Sequence, residues 1–395
     1  MKILITTDLF TVRTNGVVTS THNLIYALKK QGHEVRVLTF SEDKTSRKED
    51  GVYYIKSKSL EKIYHDVRKP ASRARDYVDE LVEWHPDVIH SQCEFYSLKF
   101  AKRIAKRTHA PIVHTYHTLY EDYVGYVIPF KRIGRWVVRH IITKAWLKRV
   151  HTIIAPTVKV RDNLVDRCKV KNNVEVIPSG ICLDRHKIKI SNEARREGRA
   201  KWGFSDDSFV LINLGRLGNE KNIEELISYF AKVSDKYPNA RLFIVGGGPA
   251  EAKLKKLAEE LNVTDKVVFA GMVTPESVSE YYQLGDLFVC ASQSETQGLT
   301  YIEAAANRLP LLCRDDPCFE GVVLEGENGF RYTDFDGYAE KLDYIINNSE
   351  WVESASRKSE EISLLFDREV FGESVASLYK RAIGDNHKEL AKVHT

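Results

Sequence analysis

The strongest constraint on the fold is an alternation that runs through most of the chain, in which short, strongly apolar runs are each followed by a stretch with helical spacing of its apolar residues. Apolar runs of that length read as strands buried on both faces, and the helical stretches between them supply the crossovers that parallel strands require. The expected class is α/β, with doubly wound parallel sheets covered by helices on both sides. Strands are expected at Lys2–Thr6, Glu34–Thr39, Asp87–His90, Ile112–Thr115, Thr152–Ala155 and Val174–Ile177. In the second half they are expected at Phe209–Leu214, Arg241–Val245, Lys266–Ala270, Leu287–Cys290 and Leu309–Cys313, with helices from Ile223, Ala250, Pro275 and Leu299.

At Ile177-Pro-Ser-Gly-Ile181 a strand stops at a Pro and Gly break. Charge changes sign nearby: residues 1–180 carry a net +13, and the remainder a net −9. With 395 residues, two domains that each bury a core are expected. They are placed at 1–178 and 179–370, Rossmann-like and facing one another across a cleft. A C-terminal helix over 371–395 is expected to return to the first domain and end in a loose tail.

Apolar content of 43% and charged content of 29% exclude a disordered chain. No run approaches the length of a membrane span, so membrane contact is expected to be peripheral. The first apolar run ends at Thr6-Thr7-Asp8, too early for a signal peptide, and the six cysteines include no Cys-x-x-Cys pair. A reduced, cytoplasmic setting is expected. The basic first half suits an anionic surface, whether nucleic acid, an acidic substrate or a bilayer.

Ligands of doubly wound sheets bind beyond the carboxyl ends of the strands, so chemistry is sought in those loops. The strongest is Ser294-Glu-Thr-Gln-Gly-Leu-Thr-Tyr-Ile-Glu-Ala304, which opens a helix near Gly298. Unpaired N–H groups and the helix dipole make such a start an anion site, and Glu295 and Glu303 can accept hydrogen bonds from sugar hydroxyls. The second is Asn213-Leu-Gly-Arg-Leu-Gly-Asn-Glu-Lys-Asn222, a glycine turn that presents Arg216 and Lys221 to phosphate oxygens. The third, Asp8 to Val18, places Gly16 before a helix, where backbone can approach a ligand closely. The fourth is His114-Thr-Tyr-His-Thr-Leu-Tyr-Glu-Asp122, with His117 just past a strand end and His114 inside it as a satisfied structural histidine. Gly246-Gly-Gly-Pro249 reads as a tight turn, and Asp334-Phe-Asp336 as a helix cap. No Ser or Cys nucleophile constellation and no His/Cys metal spacing is present in the sequence.

At these residues the chain resembles family 4 of the retaining glycosyltransferases, which have the GT-B fold. The family's Glu-x7-Glu signature is met by Glu295 and Glu303, and its donor loop by Gly215, Arg216, Lys221 and Asn222. The resemblance implies that Arg216 and Lys221 hold a nucleotide's diphosphate, assisted by Gln297, Gly298, Leu299 and Thr300. It further implies that Glu303 binds the ribose, Glu295 the donor sugar, Gly16 lies near the diphosphate, and His117 stands beside the reacting centre. No resident cofactor or metal is implied, the UDP-sugar being a substrate and Mg2+ at most a stimulant. The strings His114–Tyr123, His90–Phe95 and Ser294–Thr300 look more narrowly like the diacylglycerol glucosyltransferases. Two departures are Arg13-Thr-Asn-Gly-Val17, without the usual Pro, and Gly247 where Asp is common.

Independently of the resemblance, Leu60, Ile63, Tyr64 and Val67 share one helical face in Lys58–Lys69, with Lys58, Lys62 and Lys69 opposite, the pattern of an interfacial helix. Lys131–Arg149 carries seven bases, among them Lys131, Arg132, Arg135 and Arg139, with Trp136 and Trp146. Taken with the resemblance, which implies the chemistry, the expected activity is retaining transfer of glucose from UDP-glucose to diacylglycerol at the inner face of the cell membrane. Its partners are a UDP-sugar, a lipid acceptor and an anionic membrane surface, with no nucleic acid. Rival readings are another UDP-sugar, a glycosylated lipid, polysaccharide or protein acceptor, a sugar-nucleotide isomerase, or a non-catalytic binder of anionic lipid or nucleic acid.

Overall fold

A computed structural model describes residues 1–11, 15–43, 45–59, 68–120 and 131–393, apart from the side chains of residues 131, 132, 135 and 393. The chain divides into two compact units, Met1–Gly180 with Arg368–Thr395, and Ile181–Asp367.

The first unit is built on strands β1 (Lys2–Thr6), β2 (Glu34–Ser41), β3 (Arg47–Glu49), β4 (Val52–Ser59), β5 (Arg68–Pro70), β6 (Val88–Ser91), β7 (Ile112–Thr115), β8 (Thr152–Ala155) and β9 (Asn173–Val176). They are ordered β3-β4-β2-β1-β6-β7-β8-β9, with β5 on β4. Pairing is parallel from β4 to β9, while β3 and β5 run antiparallel to β4. The period of two sends Ile3 and Ile5 to one face, against Val37, Val88 and the last helix, and Leu4 to the other, against Leu38 and Ile89. That last helix, Arg368–Val393, buries Phe371, Val375, Leu378 and Tyr379 in the first unit's core. Gly372 permits its approach, because a Cβ there would lie 2.4 Å from that of Ala27 on the Gly16–Lys30 helix.

The second unit holds β10 (Phe209–Leu214), β11 (Ala240–Val245), β12 (Val267–Gly271), β13 (Leu287–Cys290), β14 (Leu311–Arg314) and β15 (Gly329–Tyr332). Their order is β12-β11-β10-β13-β14-β15, parallel throughout. Numbered from one, that is 3-2-1-4-5-6, the dinucleotide-fold order. Both faces are dry, with Val210, Ile212 and Phe288 packed on one side and Leu211, Leu242 and Val289 on the other.

Three sequence expectations need correction. The interfacial helix over Lys58–Lys69 fails at both ends: Lys58 lies in β4 and Lys69 in β5, paired with each other across an antiparallel ladder. Tyr53, Ile55 and Ser57 are buried at a period of two, and this strand pattern governs the segment up to Ser59. Lys62 and the proposed apolar face lie outside the described residues. The C-terminal tail stays helical to Val393, and the Asn386 side chain donates to the His109 carbonyl at 2.8 Å. The helix expected from Pro275 begins at Val278. Strands β3, β4, β5 and β15 were not anticipated.

In each sheet the order reverses once, between β1 and β6 and between β10 and β13. Chains diverge at such points and leave a crevice at the carboxyl ends of the two strands.

Candidate active site

At the second unit's switch point, β10 ends at Leu214 and passes into Gly215, whose φ of +155° favours glycine. The loop then rests on backbone from the next strand. Gly215 N–H donates to Val245 (2.9 Å), Leu217 N–H to Gly247 (3.0 Å), and Ala250 N–H returns to Leu217 (2.9 Å). Such close apposition excludes side chains: a Cβ on Gly246 would lie 1.9 Å from the Gly215 carbonyl oxygen, and one on Gly248 2.4 Å from that of Leu217. The Gly246–Gly248 run is thus a ledge that holds the Gly215–Leu217 loop, besides being a turn.

The loop's two cations are ion-paired. Arg216 bonds Glu220, and the Lys221 ammonium lies 2.5 Å from Glu295. Glu295 comes from the loop after β13 and also accepts from Ser292 at 2.8 Å, while Ser294 donates to the Glu220 carbonyl at 3.0 Å. These bonds stitch the two switch-point loops together and bring Arg216, Lys221 and Glu295 into one neighbourhood. Gly298 caps the Leu299–Ala306 helix with φ +73°, and a Cβ there would fall 1.9 Å from the Tyr301 ring. A glycine cap leaves the first-turn N–H groups without a side-chain acceptor, and Thr300 in that turn would lie 3.9 Å from a Cβ on Gly215. Leu299 and Thr300 are partly exposed and Gln297 is buried.

Farther along the same helix, the Tyr282 hydroxyl lies 3.1 Å from Glu303 and 3.2 Å from the Thr300 carbonyl, donating between them. Desolvation pushes the Glu303 carboxyl up to about 7, against the opposing effects of the Tyr282 hydrogen bond and the Arg185 charge. His186 contacts the Asn307 amide at 2.9 Å and is held down to about 4, chiefly by burial.

The first unit's switch point is chemically different. Asp8 follows β1, is 3% exposed, and accepts from the Ser97 N–H at 2.7 Å. Burial drives its carboxyl up to about 7, the neighbouring Glu94 adding to the effect. Gln92 and Glu94 follow β6 and are equally buried. His117, beyond β7, approaches the Gln92 carbonyl oxygen with Nε2 at 2.8 Å, an arrangement suited to Nε2–H donating. Desolvation, aided by His114, lowers His117 to about 3, so its ring is neutral. His114 meets Glu94 at 3.3 Å, and Tyr120 donates to the other Glu94 oxygen at 2.5 Å.

The family model described as Glycosyltransferase Family 4 matches residues 14–185, and that described as Glycosyl transferases group 1 matches residues 194–362. An alpha-monoglucosyldiacylglycerol synthase from Streptococcus pneumoniae is 34% identical, with 100% of this chain and 89% of that protein covered. One of the same name from Acholeplasma laidlawii is 32% identical over 99% of this chain and 100% of its own length. This chain is a family 4 glycosyltransferase of the GT-B fold. Among solved structures, the glycosyltransferase shares its fold with Anabaena HepE in complex with UDP, at a TM-score of 0.74 and 16% identity over 96% of this chain and 100% of that one. Sucrose-phosphate synthase from Thermosynechococcus elongatus gives 0.76 and 20% identity, over 98% and 100%.

Of the residues singled out in the sequence of this glycosyltransferase, Arg216, Lys221, Glu295, Gln297, Gly298, Leu299, Thr300 and Glu303 all lie on the second unit's two switch-point loops and the helix they open. Gly16 instead opens a helix on the first unit, behind Asn15, whose side chain accepts from Val17 N–H at 2.9 Å. His117 also belongs to the first unit. Lys131, Arg132 and Arg135 fall in the Lys131–Val137 helix, and Arg139 in the π-helical turn Val138–Ile142 that continues it. On this segment Ile133, Trp136 and Ile141 are exposed, and His140 stacks on Trp136 at 5.3 Å. No helix among the described residues is long and apolar enough to cross a membrane. Sequence reasoning missed Asp8, Gln92, Glu220 and Tyr282, and treated His114 as satisfied although its Nδ1 has no hydrogen-bond partner among the described residues. The one available signal was position, since Asp8 and Gln92 each stand just past a strand end.

Proposed function

We propose that this glycosyltransferase moves glucose from UDP-glucose to the free hydroxyl of diacylglycerol, with retention of the α configuration, while bound peripherally to the cytoplasmic face of an anionic membrane. The observation that carries the reading is the full-length likeness to two proteins named alpha-monoglucosyldiacylglycerol synthase. The second unit supplies suitable chemistry. The diphosphate would displace Glu220 and Glu295 as partners of Arg216 and Lys221, and would take up the first-turn N–H groups behind Gly298. Glu295, once released, is placed to accept from the donor sugar's hydroxyls, and Glu303 from those of the ribose.

As the bond to glucose breaks, negative charge grows on the leaving phosphate, and the two cations stabilise it where a metal would otherwise be needed. Turnover is therefore expected to persist in EDTA. We favour attack on the same face as departure, with the phosphate helping to deprotonate the incoming hydroxyl. His117, being neutral, contributes a hydrogen bond rather than a positive charge. Membrane binding is assigned to the basic Lys131–Arg149 segment and its exposed Ile133, Trp136 and Ile141, an apolar and cationic combination suited to an anionic interface.

The test is incubation with a panel of UDP-sugars and vesicles containing diacylglycerol and anionic lipid, followed by mass analysis and proton NMR of the lipids. An α-linked monoglucosyl lipid formed only with UDP-glucose is expected. A β-linkage, another sugar, or product only when a glycosylated lipid is offered would overturn the corresponding part of the reading.

A further inference from the structure

The first unit's switch point contains buried polar atoms that its fold does not satisfy. Asp8 Oδ2, Gln92 Nε2 and His114 Nδ1 are all inaccessible, and none has a hydrogen-bond partner among the described residues. Buried polar groups are nearly always paired, and leaving one unpaired costs about 1–3 kcal/mol. Three at the carboxyl ends of adjacent strands call for an occupant.

Topology places them side by side. Asp8, Gln92 and His114 stand at the carboxyl ends of β1, β6 and β7, which are neighbours in the sheet, and Gln92 N–H donates to the Thr6 carbonyl at 2.8 Å. Each residue is held by its other polar atom: Asp8 Oδ1 by Ser97 N–H, Gln92 Oε1 by His117, and His114 Nε2 by Glu94. Their orientation is thereby fixed while one atom of each is left over.

The chemistry of the leftover atoms selects the occupant. The Glu94 carboxyl lies close enough to raise that of Asp8, and two acidic groups in one place disfavour an anion such as phosphate. The amide hydrogens of Gln92 repel a metal cation. A hydroxyl, which donates one hydrogen bond while accepting another, suits an acceptor atom on Asp8 beside a donor on Gln92.

We propose that Asp8, Gln92 and His114 form the subsite for the acceptor's hydroxyl-bearing carbon fragment, with Asp8 Oδ2 accepting from a hydroxyl and Gln92 Nε2 donating to it. This assignment rests on the reading of the chain as a transferase to a glycerol-based acceptor, and it names residues that set acceptor specificity.

Two near-isosteric substitutions test it. Asp8→Asn keeps an oxygen for Ser97 N–H, and Gln92→Glu keeps one for His117, but each reverses the polarity of the leftover atom. With UDP-glucose and 1,2-dioctanoyl-sn-glycerol, each variant should raise the acceptor KM about tenfold or more, the equivalent of one lost hydrogen bond in a buried site. The KM for UDP-glucose and the affinity for UDP should stay within about twofold. The double variant conserves net charge and restores one donor and one acceptor in exchanged places, so it should recover part of the loss. A rise in the UDP-glucose KM instead would assign the subsite to the donor's hexose, and unchanged KM values would assign it to structural water; either overturns the proposal. If the wild-type protein fails to glucosylate dioctanoylglycerol, the transferase reading fails on its own, and glycerol decides the subsite. Saturation-transfer signals from glycerol that vanish in both single variants would support it, and equal signals in all proteins would refute it.

Discussion

The two switch points share a strand order and differ in almost everything chemical. Between β10 and β13 the loops carry cations, partly exposed and already matched with carboxylates, at the head of a glycine-capped helix. Between β1 and β6 the groups are acidic or neutral, buried, and in part unmatched. On the proposed reading, the same scaffold offers one place where internal counter-ions exchange for a ligand's phosphates, and another whose leftover atoms take a hydroxyl. Most of the difference lies in the residues just past each strand, where side chains no longer have to satisfy the sheet, with His114 inside β7 the exception.

The largest expected effect lies on the cationic side. Arg216→Ala or Lys221→Ala should reduce kcat/KM by about 10²–10³ and weaken UDP binding, since each removes a charge from the leaving diphosphate. Titration calorimetry with UDP checks this, and undiminished affinity in both variants would erase the contrast between the crevices. Next comes the stability linkage of Asp8, whose carboxyl rises from 3.8 to about 7 on folding. The folded state keeps its proton where the unfolded state has lost it, so this contribution is complete below pH 4 and is lost as pH climbs through 7. Asp8→Asn should flatten that slope, gaining up to about 4 kcal/mol on the wild type between pH 4 and 8. Urea unfolding across that range reads it, and parallel curves would mean that Asp8 is not desolvated.

Gly246→Ala should destabilise by about 1–3 kcal/mol and weaken UDP binding as well, because its Cβ displaces the Gly215 carbonyl beneath the donor loop. A loss of stability with full affinity would show that the ledge does not position the loop. The smallest effect concerns Glu303, raised to about 7. Ionisation improves it as an acceptor, so affinity for UDP-glucose should increase severalfold from pH 6 to 8, and Glu303→Gln should abolish that dependence.

Much of the cationic crevice was legible in the sequence, because a helix start, a glycine and an Arg-Lys pair follow directly on apolar strands. The buried acidic one was not. Asp8 and Gln92 are ordinary residues whose meaning comes from strands β1 and β6 pairing across dozens of intervening residues, and burial of that kind leaves no local mark. The ledge under the donor loop escaped for a similar reason: Gly246–Gly248 reads as a turn until the backbone of Gly215–Leu217 is seen lying against it. At its two ends the helical spacing of Lys58–Lys69 misled, because Lys58 and Lys69 are ladder partners.

The path of the chain between the units has a consequence for biogenesis. It leaves the first unit at Gly180 and re-enters at Arg368, so along the sequence the second unit is an insertion within the first. On the ribosome the inserted unit has all its strands before the first one has its last helix, and until Tyr379 reaches His90, a 2.5 Å contact in the finished core, the first sheet keeps an uncovered apolar face. A nascent chain stalled just short of that helix would present this face to chaperones, and premature termination there would yield one finished half and one sticky one.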